Sequence, residues 1–179
     1  LVGLGFQIHF SLNSAKLYQQ LAKPDQLQYL MPIFWIGFNV LMLPASAATR
    51  RYGGLAVASA GALIAAVAAL GAPIATDLTT LVVLQFIVGG GWGCLLMSAV
   101  SAAVALGHTG REGKLTGGLF SFFAVAAFLR IGVLATELNK DPDFAALLTW
   151  IPPLAWGTGG LLLLFLVTTH RRMATPAVA

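Results

Sequence analysis

Apolar residues come in runs of about 20, separated by short polar breaks, over almost the whole length of the chain. A run of that length crosses a hydrocarbon core of ~30 Å at ~1.5 Å per residue. The period-2 alternation of a membrane barrel is absent, so the runs predict helices. Six spans follow, at about 1–22, 26–48, 54–72, 78–107, 114–137 and 145–169. They form one bundle over 1–172, followed by a short tail at 173–179. Lys23-Pro24-Asp25 separates the first two runs, since proline disfavours helix before it and suits a new first turn. Pro32 and Pro44 fall inside the second run. Pro44 to Gly54 reads as a basic, glycine-ended hairpin turn.

Composition agrees with this pattern. Of 179 residues, 58% are hydrophobic and 9% charged, against roughly a quarter charged in soluble domains. Mean hydropathy is +0.86. The chain is therefore expected to be an all-α membrane protein embedded in a lipid bilayer. The net charge of +4 carries no suggestion of nucleic-acid binding, because in a membrane protein the position of each charge matters more than the sum. Lone Cys94 cannot form an internal disulfide. The chain starts inside an apolar run and is read as a fragment.

If the spans alternate, one face gathers Arg50, Arg51, Arg111, Lys114, Arg171 and Arg172, while the other has Lys23 and Lys140. Basic residues in short loops mark the cytoplasmic side, so the C-terminal tail is expected in the cytoplasm. Trp35 and Trp150 come near the outer ends of their spans, and Trp92 and Trp156 lie deeper.

All six acids fall in loops or at span ends. His9 is the one mid-span group able to carry a proton, against a bland reading as a satisfied structural histidine. Arg130 is the permanent charge well inside a span, ~10 Å from its outer end. A charge there costs at least ~2.5 kcal/mol on insertion scales unless it is paired or snorkels. It could contact an anionic substrate group, reach outer headgroups, or pair with Glu137 seven residues on. Gln7, Ser11 and Ser14 share one face of the first span, and His9 and Asn13 another. That helix must face protein or water over much of its circumference. Asn39 and Gln85 are lone amides, read either as interhelical links or as pathway groups. Gly54, Ala58, Ala62 and Ala66 form a small-residue stripe that admits a close neighbour. Gly89-Gly90-Gly91-Trp92-Gly93 lacks the Lys-Ser/Thr of a phosphate loop, so nucleotide binding is set aside. No metal or cofactor set and no catalytic constellation is evident, and neither a cofactor nor an enzyme activity is expected.

Arg51-Tyr52-Gly53 matches the R-x-G core of a signature, approximately G-x-L-A-D-R-x-G-R-R, found between the second and third helices of a half of a major facilitator superfamily transporter. Ser46 stands where that family has glycine, Arg50 where it has aspartate and Gly54 where it has a basic residue. Gly110-Arg111-Glu112-Gly113-Lys114, followed by Gly117-Gly118, is also of the family's type. The chain resembles the C-terminal six-helix half of such a transporter. The resemblance implies an absent N-terminal half, a small-molecule substrate and alternating access in the cell inner membrane. It also implies a cavity lined by the first and fourth spans, flanked by the second and fifth, with the third and sixth outside. The route residues would then be Gln7, His9, Asn13, Asn39, Gln85 and Arg130, and the signature loop Ser46, Arg50, Arg51 and Gly53. The competing reading is a non-transporting accessory, scaffold or assembly subunit bound to other membrane subunits. A polar mid-membrane cavity holding His9 or Arg130 would favour transport, and a filled centre the scaffold.

Overall fold

The computed structural model describes residues 1–108 and 110–174, the last five of these by backbone alone. Every element is helical. The first stretch is α1 (Val2–Ile8), a π-helical turn (His9–Asn13) and α2 (Ser14–Gln19). A 3-10 turn (Pro24–Gln26) and the short α3 (Leu27–Leu30) lead into α4 (Pro32–Tyr52). Then come α5 (Gly54–Gly71), α6 (Leu78–Gly107), α7 (Glu112–Ala135) and α8 (Pro142–Ala174).

Five of the stretches are long and apolar enough to cross a membrane: 24–52, 54–74, 78–107, 112–135 and 142–169. The protein is a multi-pass membrane protein. The first stretch, expected as a sixth span, is helical but not among them. Its His9, Ser11, Asn13, Ser14, Lys16 and Gln19 make it too polar, and the π turn interrupts its α-helical register. It is held against α6, α7 and α8.

Three boundaries differ from expectation. The stretch from Pro44 is not an extended turn, because α4 continues through Pro44 to Tyr52. The turn is reduced to Gly53, whose φ of 90° is open to glycine without strain. Pro32 begins α4 rather than lying inside a longer helix, because a first-turn proline gives up no needed N–H. At the other end, α8 runs past the expected boundary at 169 to Ala174. The side chains of Arg171 and Arg172 and the tail at 175–179 lie outside the described residues.

Glycine sets the packing around α6. A Cβ on Gly89 would overlap Phe34 O, and one on Gly37 would overlap Phe86 O, so α4 and α6 run parallel with their backbones nearly touching. On the other side, a Cβ on Gly91 would lie 2.7 Å from Gly61 O of α5. Small residues are what allow such approach in lipid, where association depends on van der Waals packing. The stripe on α5 behaves as expected: Ala58, Ala62 and Ala66 are buried. Ser59 Oγ donates to Gly160 O of α8 at 2.8 Å, fastening the far side of α5. The third span is as buried as α6, because alanine and glycine leave room for a neighbour on two sides.

Neighbours in sequence run antiparallel. Gly54 meets Ser98 and Ala102, while Gly71 meets Leu84. The end carrying Tyr52 and Gly53 therefore also carries Leu106 and, from α8, Val167. Arg50 and Arg51 are exposed there, with the Arg51 guanidinium 5.2 Å from the centre of the Tyr52 ring. Ser46 is half-buried within α4.

Candidate functional site

The polar residues of the first stretch divide into two groups. His9 is 2% exposed and Gln85 is fully buried, and His9 Nε2 lies 3.0 Å from Gln85 Oε1. With that oxygen as acceptor, the Nε2 proton is the donor. Trp156 and Phe34 close over the imidazole, with ring centres 5.5 and 6.3 Å away. The pair ties the first stretch to α6 at the heart of the bundle. The other amide atom, Gln85 Nε2, is buried without a hydrogen-bond partner. Leaving such a group unpaired costs about 1–3 kcal/mol.

The π turn brings this about. Ser14 N–H reaches back to His9 O, closing a five-residue turn, and Ser14 Oγ donates to the same oxygen at 2.9 Å. One extra residue in the turn lets His9 point at α6 while Asn13 points at α8. There Asn13 Nδ2 donates to Leu148 O at 2.9 Å. Isolated π turns are frequent at functional sites. At one end of the first stretch a cleft of about 240 Å³ is lined by Asn13, Lys16, Gln20 and Thr149 together with Leu17, Ala145 and Ala146. Lys16 Nζ is held by Asn139 O at 2.8 Å.

The second group faces outward. Gln7 is half-buried and Ser11 exposed on α1 and its π turn. Asn39 is exposed on α4, its Nδ2 donating to Trp35 O of its own helix at 2.7 Å. It does not link helices. Arg130 is half-buried on α7, and its Nε is shut from solvent without a partner. The proposed pair with Glu137 does not form: Glu137 sits in a left-handed conformation (φ 57°) after α7 and pairs with Lys140. His9 and Gln85 are thus brought together, and Asn39 and Arg130 are apart from them.

Between the two groups lies an aromatic seam that polar-residue reasoning missed. Phe6 stacks on Trp92 with centres 4.7 Å apart and planes 2° from parallel. Phe10 meets Phe34 and Trp35, both at 5.1 Å. Trp35 in turn meets Phe38 edge-on at 5.5 Å. The signal was in the sequence: Phe6 and Phe10 are four apart on one helix, and Phe34 and Phe38 four apart on another. The centre between α1, α4 and α6 is filled by these rings.

No protein-family model, curated protein or solved structure matches the chain. Among the described residues, no group of three or more His, Cys, Asp or Glu side chains is placed to hold a metal ion.

Proposed function

We propose that the chain carries a small solute across the inner membrane as one half of a secondary transporter of the major facilitator type, working by alternating access. The filled centre requires the route to run over the outside of the bundle, along α1 between α4 and α7. A second, N-terminal six-helix half would form the opposite wall. The His9–Gln85 pair and Asn13 lie behind that wall and hold it in shape. Gln7, Asn39 and Arg130 lie on it. The end with Arg50, Arg51, Arg111 and Lys114 would face the cytoplasm, with the signature loop at the moving end. No covalent step is involved.

Arg130 carries this reading. A guanidinium in a span without an acidic partner is a costly feature with an obvious use in meeting a charged solute. The test is solute uptake by the intact protein in proteoliposomes. Arg130→Ala should lower uptake by tenfold or more, about the weight of one charge-assisted hydrogen bond. Unchanged uptake would remove Arg130 from the route.

The filled centre and the bareness of α7 favour a second reading, that of a non-transporting accessory or assembly subunit which offers α7 to another membrane protein. Only 6% of the 18-residue apolar stretch of α7 is buried in the bundle. Absence of uptake by a folded, intact protein would decide for it.

A further inference from the structure

The outward side of α1 has a register against both of its neighbours. Gly3 packs on the ring of Phe123, and Ile8 and Leu12 share an apolar cluster with Val133, so α1 and α7 run parallel. Arg130 comes seven residues after Phe123 and three before Val133, which sets it level with the turn from Gln7 to Ser11. Gly3 and Gln7 are four apart on α1, so Gln7 lies on the side that Gly3 turns towards α7, and Ser11, in the π turn that follows, is exposed. On the adjoining side are Phe6, Phe10 and, from α4, Trp35, which is 38% exposed.

We propose that this seam recognises a flat, apolar organic carboxylate, its ring system lying along Phe10 and Trp35 and its carboxylate meeting Arg130 beside Gln7 and Ser11. The inference rests on the transport reading and adds the class of solute to it. Charge sets the sign. Every acid in the chain lies in a loop or at a helix end, and Glu137 is taken by Lys140, so nothing neutralises the Arg130 guanidinium. An organic cation would meet no carboxylate here. A sugar would find an amide and a hydroxyl where it needs many polar partners. A planar guanidinium matches a carboxylate with two parallel hydrogen bonds. The rings of Phe10 and Trp35, neither fully buried, offer stacking and edge contacts to a flat apolar body.

The experiment uses the intact protein in phosphatidylcholine nanodiscs, with radiolabelled 2-naphthoate, its neutral amide 2-naphthamide, and acetate. Naphthoate should bind about tenfold or more tighter than either. Arg130→Gln should abolish the preference over the amide, and Arg130→Lys should retain part of it. Trp35→Ala should weaken both naphthyl ligands alike. Equal binding of acid and amide by the unaltered protein overturns the proposal, and needs no variant to fold. Displacement of naphthoate by phosphatidylglycerol in the disc also overturns it, because the arginine would then serve a lipid headgroup. Naphthoate bound as expected but not taken up by proteoliposomes leaves the site standing and removes transport. Uptake of other solutes by a protein that does not prefer naphthoate to naphthamide keeps transport and removes this solute class.

Discussion

Helices α6 and α7 both carry several glycines, and the two sets meet opposite surroundings. Those at Gly89, Gly90, Gly91 and Gly93 of α6 are buried against backbone or side chains of α4 and α5. Those at Gly113, Gly117, Gly118 and Gly132 of α7 have nothing within 4 Å of where a Cβ would be. Half of the apolar stretch of α6 is buried, against 6% for α7. Composition alone does not make a glycine helix a packing helix. On α6 the glycines fall where two neighbours press from two sides. On α7 they face outward, with Phe122 and Phe128 exposed on the same helix. The contrast separates the part of the molecule that holds its shape from the part free to meet lipid, solute or another protein.

Substitution at one glycine in each helix gives the largest expected separation. In Gly89→Ala the new methyl would collide with a backbone oxygen of α4, which cannot swing away as a side chain can. Overpacking of this kind costs about 1–3 kcal/mol or more. In Gly117→Ala nothing is met, and replacing a helical glycine stabilises by up to ~1 kcal/mol. Thermal unfolding of the purified protein in detergent should therefore move down for the first and stay level or rise for the second. Equal shifts would mean that α6 and α7 are packed alike.

The buried amide pair sharpens the same contrast, since it joins α6 to the first stretch. His9→Leu leaves Gln85 with no partner for either end of its amide, and Gln85→Leu orphans His9. Each should cost about 1–3 kcal/mol. The double variant removes both polar groups and should cost less than the sum of the two. A double-mutant cycle on the unfolding midpoints checks this, and strict additivity would show that the two side chains do not depend on one another.

Much of this was legible in the sequence, for definable reasons. Run length fixed the long helices, and the expected bounds of the fourth span, 78 and 107, are those of α6. The alanine stripe on α5 announced a close neighbour because its spacing is helical. What failed to show was which side of a helix would be covered. Spacing separated His9 and Asn13 from Gln7, Ser11 and Ser14, but the π turn buries Ser14 with His9 and Asn13 and leaves Ser11 outside. No feature of His9–Asn13 marks that extra residue. Arg130 and Glu137 looked like partners because they lie seven apart on one helix. The helix stops at Ala135, and the backbone then turns Glu137 towards Lys140.

Hydroxyls give a smaller test. Ser59 is buried and donates from α5 to the Gly160 carbonyl of α8, whereas exposed Ser121 on α7 donates to Gly117 O of its own helix. Ser59→Ala should lower stability by about 1 kcal/mol through the lost interhelical bond. Ser121→Ala should change it by less than ~0.5 kcal/mol, as is usual for exposed positions. Unfolding midpoints measured in one detergent decide the matter, and a larger effect at Ser121 would show α7 to be engaged with a surface of its own.

The smallest expected effect lies at the starts of the same two helices. Asp77 caps α6, with Oδ1 accepting the Thr80 N–H at 2.8 Å and Oδ2 the Thr80 hydroxyl at 2.6 Å. The Thr80 hydroxyl foremost, and then its N–H, hold the Asp77 carboxyl below the usual aspartate range. A depressed value means that the charged form is the one that stabilises. The cap is therefore in place above the ordinary aspartate pKa, near ~3.9, and is lost as pH falls through the lower folded value. By contrast, Arg111, the residue before α7, makes no side-chain cap. Hydrogen exchange at the first-turn amides of α6 should quicken relative to those of α7 once pH drops below the aspartate range, after correction for the intrinsic rate. Asp77→Ala should remove that pH dependence and leave the α7 amides unaffected, while Arg111→Asp should confer a similar dependence on α7. If the first turn of α6 opens at one corrected rate across the acid range, with or without Asp77, the capped and uncapped ends are equivalent.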